Sequence, residues 1–411
     1  MENNKKILKS GLLVFAFILF SRIFGYLFRI IIARYDSDLY GQYNLIIAII
    51  DFIIPFLLLG FSLGIVRYVS FYNSEKEKSD IIISSAIKIA IPVSILAYII
   101  LFIFSSRISG LLNLEDSNLI KFLALLIPII VSSKIFSSIL EAKKLPHVST
   151  FLSQLIPNLL RVIIILPFIY LGLGKVGVVS SFIISYSFSL LFLFLASKKF
   201  YKIKPGFSKE LLKFSWPLMF VSLGMGIMVQ IDTIFLGIFT NIKEVSLYSV
   251  AYPTSQLLTI FSISILSLFL PMITEKFSQK KSIKKEYKFV TFLIFILSAL
   301  SIIILILFGK QIILLFFGIN YIEAYIPLVI LSFAYLFYNI SQPAYNILLM
   351  KEKTSSILII FSISLIINII LNSLLIPYFH LEFAHGMYGA ALATLISFSI
   401  LSVTIIIHSR K

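Results

Sequence analysis

Seven lysine and arginine side chains stand inside runs that are otherwise apolar: Arg22, Arg29, Arg67, Lys88, Lys121, Lys134 and Arg161. The same runs hold two acids, Asp51 and Asp232. A guanidinium in hydrocarbon costs about 2.5–3.5 kcal/mol even on a lenient insertion scale. Each such group must therefore face water, protein or an anion. The planar fork of arginine suits phosphate, which it can grip through two parallel hydrogen bonds. Arg22 and Arg29 lie seven residues apart and share one helical face. Arg161 completes a stripe with Gln154 and Asn158 at i, i+4 and i+7, the face of a helix turned to water or protein. The structural alternative for Arg22 and Arg161 is an ion pair with Asp51 or a bond to a helix-end carbonyl. Lys88, Lys134, Lys121 and Arg67 fall nearer span ends, where a long stem lets the charge snorkel to headgroups.

All seven cations lie in the first half, and the second half offers neutral stripes instead. Asn339, Gln342 and Asn346 recur at i, i+3 and i+7; Ser364, Asn368 and Asn372 recur at i, i+4 and i+8. That division suits an amphiphilic anion, with phosphate against the first half and sugar against the amides of the second. The same stripes also glue helices together, so both readings stay open. Asp232 lies in the run from Met228 to Gly237. It is either an ion-coupling group that binds sodium or a proton to bias one helix arrangement, or an acceptor for hydrogen bonds from neighbouring helices. Asp51, at a depth comparable with Arg29, is the second ion-coupling candidate. No other cofactor is expected.

The elements that must carry these groups follow from composition. Of 411 residues 59% are hydrophobic and 13% charged, whereas soluble domains carry about 25% charged residues. A water-soluble fold and a disordered chain are both excluded. The remaining class is an all-α polytopic membrane protein, whose backbone polar groups are satisfied within helices. About twelve spans of roughly 20 residues account for the apolar fraction. They fall near 11–32, 44–71, 82–104, 119–140, 150–171, 176–196, 213–237, 246–273, 289–308, 324–350, 355–376 and 387–408. The runs 44–71 and 246–273 exceed one bilayer and should tilt or protrude. The first run is too long for a cleaved signal peptide and reads as a retained span. Cysteine is absent and four histidines are scattered, so no metal site is expected. The net charge of +17 sits on short loops, which leave no basic face for nucleic acid.

One set of connections, including both termini, holds 23 lysines and arginines, and the alternate set holds five. Positive residues stay on the inner side, which places both termini in the cytoplasm and the chain in the cell membrane. An internal repeat pairs Asn158, Pro167, Gly174 and Gly177 with Asn368, Pro377, Gly386 and Gly389, at spacings of 210 and then 212 residues. Two six-helix bundles, 1–200 and 201–411, are expected around an axis along the membrane normal, with a central site between them.

Four segments resemble the polysaccharide and lipid-linked oligosaccharide flippases of the multidrug/oligosaccharidyl-lipid/polysaccharide exporter superfamily. They are Ser21-Arg22-Ile23-Phe24-Gly25 with Arg29, Ala33 and Arg34; Leu39-Tyr40-Gly41-Gln42-Tyr43; Asp232 to Gly237 leading to Leu247-Tyr248; and Gly386-Met387-Tyr388-Gly389-Ala390-Ala391. The resemblance implies alternating access of two bundles around a cationic cavity. There a lipid diphosphate carrying a glycan turns from the inner to the outer leaflet. The intramembrane arginines and the polar stripes make Arg22, Arg29, Gln154, Asn158, Arg161, Asn339, Gln342 and Asn368 the candidate substrate contacts. The implied partners would be the lipid-linked glycan, membrane lipids and glycan-assembly enzymes. Arg22 matches the arginine after serine in the first helix of the related lipid II flippases. Their second arginine comes six residues later, whereas Arg29 comes seven later. Those flippases usually carry two further helices, for which this length leaves no room, so the general oligosaccharide branch is favoured.

Two rivals remain. A multidrug or organic-cation antiporter of the same superfamily wants acids in its cavity, and here cations outnumber them. A membrane-embedded glycan polymerase or ligase needs an outer acid–base site, and neither paired carboxylates nor a His–Asp constellation is present; the chain reads as non-enzymatic. Topology is directly testable. Reporter fusions at Lys202 and Lys243 should report opposite sides of the membrane; both on one side would overturn the orientation and the repeat together.

Overall fold

The structure, a computed structural model, describes residues 2–114, 116–279, 282–351 and 353–410. Among these residues every regular element is helical. The chain runs through α1 (Glu2–Tyr35), α2 (Ser37–Leu58), α3 (Phe61–Phe71), α4 (Lys76–Leu111), α5 (Ser117–Leu123), α6 (Leu126–Ala142) and α7 (Pro146–Thr150). A single π-helical turn, Phe151–Leu155, leads into α8 (Ile156–Tyr170), followed by α9 (Gly174–Ser197) and α10 (Lys209–Phe239). Then come α11 (Ile242–Gln256), α12 (Thr259–Ser278), α13 (Lys284–Phe316), α14 (Tyr325–Met350), α15 (Thr354–Phe383) and α16 (Gly386–Arg410). Ten stretches among the described residues are long and apolar enough to cross a membrane. Large side chains left outside on α4, such as Leu96, Ile99, Ile100 and Ile103, make sense only against lipid.

The chain divides into two compact units, Met1–Leu223 and Gly224–Lys411. In the first, α6 is the central helix, buried along nearly its whole length. The segment between α9 and α10 is stitched to α4: Lys202 N donates to Asp80 Oδ1 at 3.1 Å, Lys204 N to Ser84 Oγ at 2.9 Å, and Ser208 N to Ser85 Oγ at 2.7 Å. Lys88 Nζ caps the same segment by donating to the Lys204 carbonyl at 2.5 Å. In the second unit, α14, α15 and α16 share a core of Ala344, Leu348, Ile357, Ile360, Phe361, Leu401 and Ile405.

The two overlong apolar runs neither tilt nor protrude as single helices: both break. The run 44–71 breaks at Leu59 and Gly60, which take φ of 48° and 72°. The run 246–273 breaks between Gln256 and Thr259. At Gly60 the cause is a close approach. A Cβ there would lie 2.3 Å from the Ser215 carbonyl oxygen and 3.0 Å from Met219 N. The first turns of α10 thus pack directly on the α2–α3 corner.

The repeat is legible in three dimensions within each unit. Gly177 lies early in α9, tight against Phe168 of α8, and Gly389 lies early in α16, tight against the Leu375 carbonyl of α15. Tyr40 in α2 and Tyr248 in α11 are both fully buried.

A methyl group at Gly60 would combine backbone strain of about 1–3 kcal/mol with the clash against Ser215. Gly60→Ala should lower the melting temperature of purified protein clearly. Gly110→Ala, at a site with nothing within 4 Å, should not. Equal melting of both variants would refute the close packing at this corner.

Candidate functional site

Each unit carries its own polar centre. In the first unit the π-helical turn before α8 holds Gln154, the first residue of the stripe bearing the candidate residues. The backbone carbonyl of Gln154 accepts from Ser21 Oγ at 3.0 Å and from Asn158 Nδ2 at 2.9 Å. Asn158 Nδ2 also donates to Ser21 Oγ at 2.7 Å. This knot joins α1 to α8. Gly25 lets the helices close here, since a Cβ would sit 3.4 Å from Asn158 Oδ1.

The three arginines have different surroundings. Arg22, next to the knotted Ser21, is exposed on α1. Arg29 is half-buried and donates from Nη1 to Asn44 Oδ1 at 2.9 Å. Arg161 is held by aromatic rings: its Cζ lies 4.6 Å from the Phe182 ring centroid, 5.0 Å from that of Phe28 and 5.7 Å from that of Tyr186. Phe28 meets Phe182 edge-on at 5.3 Å, and Phe182 stacks on Tyr186 at 6.3 Å. A cation over a ring gains about 0.5–2 kcal/mol, most where water is excluded, so the cage supports the charge without an acid. Among the described residues Arg161 has no ion-pair partner, and its buried Nε has no hydrogen-bond partner. The structural alternative of a pair with Asp51 is not what the chain builds.

Beside this cage lies a cavity of about 520 Å³. Asp51 of α2, Lys134 and Glu141 of α6, Gln154, Tyr186 and five serines (Ser62, Ser133, Ser137, Ser138, Ser153) provide its polar wall. None of Arg22, Arg29 and Arg161 lines it, and its charged groups are one ammonium against two carboxylates. Glu141 Oε1 accepts from Ser149 Oγ at 2.9 Å and Ser137 Oγ at 3.4 Å. Sequence reasoning treated Lys134 as a snorkelling cation and passed over Glu141. Their signal was present, because Lys134, Ser137, Ser138 and Glu141 repeat at i, i+3, i+4 and i+7 on one face of α6.

In the second unit Asp232 is 1% exposed. Its Oδ2 accepts from Tyr248 Oη at 2.6 Å and from the Thr394 hydroxyl; its Oδ1 accepts from Asn372 Nδ2 at 2.7 Å and Asn368 Nδ2 at 3.4 Å. Four donors from α11, α15 and α16 thus converge on one carboxylate of α10. Asn368 and Ser21–Asn158 reveal the repeat again: the equivalent amide meets serine in the first unit and aspartate in the second. Asn372 Oδ1 is buried beside the carboxylate without a partner.

The structure therefore joins Asn368 to Asp232 but places Asn339 elsewhere. Asn339 is fully buried, accepting from Ser262 Oγ at 2.9 Å and donating to the Leu258 carbonyl at 3.2 Å. Gln342 is half-buried, with its carbonyl accepting from Asn346 Nδ2 at 2.8 Å. Of the predicted stripe, Asn158 bonds the Gln154 backbone carbonyl, Arg161 sits in the aromatic cage, and Gln154 alone of the three lines the cavity.

A buried donor left without its acceptor costs about 1–3 kcal/mol. Asp232→Ala orphans several donors at once and should lower the melting temperature far more than Thr394→Val, which removes one. A melt of Asp232→Ala equal to wild type would contradict this cluster.

Comparison with known proteins places this architecture. A family model described as "Polysaccharide biosynthesis protein" matches residues 7–277, and one described as "MatE" matches 217–374. An uncharacterized membrane protein of Methanocaldococcus jannaschii is 28% identical over 92% of this chain and 78% of its own length. Among solved structures, the lipid II flippase MurJ in an inward closed conformation is similar with a TM-score of 0.78. It is 20% identical, over 97% of this chain and 88% of that one. An inward-facing multidrug resistance MATE family transporter of the MOP superfamily gives a TM-score of 0.75 at 16% identity. That match covers 95% of this chain and 94% of the other.

Proposed function

This chain belongs to the polysaccharide biosynthesis protein family, and on that premise we propose that it is a flippase moving a lipid-diphosphate-linked oligosaccharide from the inner to the outer leaflet. The observation that carries the reading is Arg161. An arginine inside an apolar span, held by the faces of three rings and paired with no acid among the described residues, keeps its in-plane donors for an anion. Phosphate fits that fork. Exposed Arg22, fixed beside the Ser21–Asn158 knot, supplies the second contact. Arg29 is engaged by Asn44 and has a positioning part. The MurJ neighbour is a lipid II flippase by name, which supports a lipid-linked substrate.

The half-buried Gln342 is the group of the second unit best placed to meet the glycan. Asn339 and Asn368, wholly buried and bonded, hold helices together. No covalent step is required: the protein offers alternative helix arrangements, and the substrate binds one better than the other. Asp232 is the candidate coupling group, for sodium or a proton. It gathers oxygens of its own carboxylate, Thr394 and the unpartnered Asn372 Oδ1. Both termini lie in the cytoplasm, and glycan-assembly enzymes act next to the exit side.

A hydrogen bond to a charged group contributes about 1.5–3 kcal/mol, so Arg22→Ala and Arg161→Ala should each slow flipping of a lipid-diphosphate glycan by about tenfold or more. Full activity in both variants would sink the assignment. Asp232→Asn should keep substrate binding and lose dependence on an imposed ion gradient. Residual transport that still follows the gradient would assign Asp232 a purely structural part.

A further inference from the structure

The cavity of the first unit holds four polar groups that no internal contact uses. Asp51 and Lys134 both line it, yet among the described residues neither side chain has a hydrogen-bond or ion-pair partner. Ser62 Oγ and Ser133 Oγ also line it and are buried without a partner, Ser133 being only 6% exposed. An unpartnered buried hydroxyl costs free energy that a ligand hydroxyl recovers. The volume, about 520 Å³, lies within the roughly 300–1,000 Å³ typical of small-molecule sites.

The wall chemistry narrows the ligand. Its charges are two carboxylates and one ammonium, a balance that disfavours an anion. Glu141 is already held by Ser137 and Ser149, which leaves Asp51 as the open carboxylate. Serine hydroxyls and the exposed Gln154 amide match a ligand rich in hydroxyls. The carboxylates and the apolar side made by Ile54, Pro55, Leu58, Leu63 and Ile130 would also receive an organic cation, but the unpartnered hydroxyls of Ser62 and Ser133 call for a ligand that hydrogen-bonds.

We infer that this cavity is a sugar-binding subsite for the glycan head group, selecting a hydroxyl-rich sugar that carries a free amino group, with the ammonium at Asp51 and ring hydroxyls at Lys134, Ser62 and Ser133. The inference rests on the flippase reading and deepens it: the diphosphate goes to Arg22 and Arg161, and the sugar goes to the cavity. Acidic sugars are rejected there because Asp51 and Glu141 repel them.

The test is binding of soluble saccharides to the purified full-length protein by calorimetry, without any lipid. The probes are chitosan disaccharide, its fully N-acetylated form, the disaccharide of galacturonic acid, and ethidium as an apolar cation. The amino disaccharide should bind tightest and the uronate weakest. Asp51→Asn should weaken the amino form by about tenfold and leave the N-acetylated form nearly unchanged. Lys134→Gln should weaken both forms alike. Uronate binding as tight as the amino form, preference for ethidium, or no effect of Asp51→Asn would each overturn the subsite. Should Asp51→Asn fail to fold, the wild-type order of the four probes decides alone. The two claims fail separately. Transport of a lipid-diphosphate glycan with no saccharide selectivity removes the subsite only, whereas selective saccharide binding without lipid transport removes the flippase reading.

Discussion

A charge that enters a bilayer must bring its own solvent. That constraint organises the interior of this protein. The first unit meets it for Arg161 with the faces of Phe28, Phe182 and Tyr186. The second meets it for Asp232 with the donors of Tyr248, Asn368, Asn372 and Thr394. Neither charge is neutralised by an opposite charge among the described residues. An ion pair would have closed each site on itself, since a buried pair satisfies its own field. Rings and neutral hydrogen-bond partners stabilise the charge and leave its net field to act on something else. The proposed anion site rests on this physical difference.

The backbone follows the same logic. Interrupted helices are tolerated at membrane depth only where protein or a cavity meets the freed polar groups. The α2–α3 break at Leu59 and Gly60 lies beside the cavity, whose lining includes Leu58, Gly60 and Ser62. The π-helical turn Phe151–Leu155 contributes Ser153 and Gln154 to the same wall. Both irregularities thus border one space, and π-bulges recur at functional sites.

Much of this was legible in the sequence. Charge depletion and the length of the apolar runs gave the helical membrane class. The repeat spacing pairs Gly177 with Gly389, and the structure shows that both stand where a neighbouring helix approaches closely. The rest was hidden for physical reasons. Hydropathy averages over a corner, so the excess length of the run 44–71 was visible but the place of the break was not; the close approach of Ser215, distant in sequence, marks Gly60. Asn339 and Asn368 look alike by spacing, but their partners come from other helices, and periodicity carries no information about those. The aromatic cage was invisible because Phe28, Phe182 and Arg161 lie on three different helices.

The central claim is that uncommitted cations in the first unit serve an anionic, lipid-linked substrate. The most direct measurement uses wild-type protein in liposomes. A short-chain polyprenyl diphosphate carrying an amino-sugar glycan is placed in the membrane, and its appearance in the opposite leaflet is timed against protein-free vesicles and against ethidium efflux. Protein-dependent movement of the diphosphate glycan without ethidium transport is the predicted result. Ethidium efflux with a stationary glycan would contradict the claim and make the chain a cation exporter.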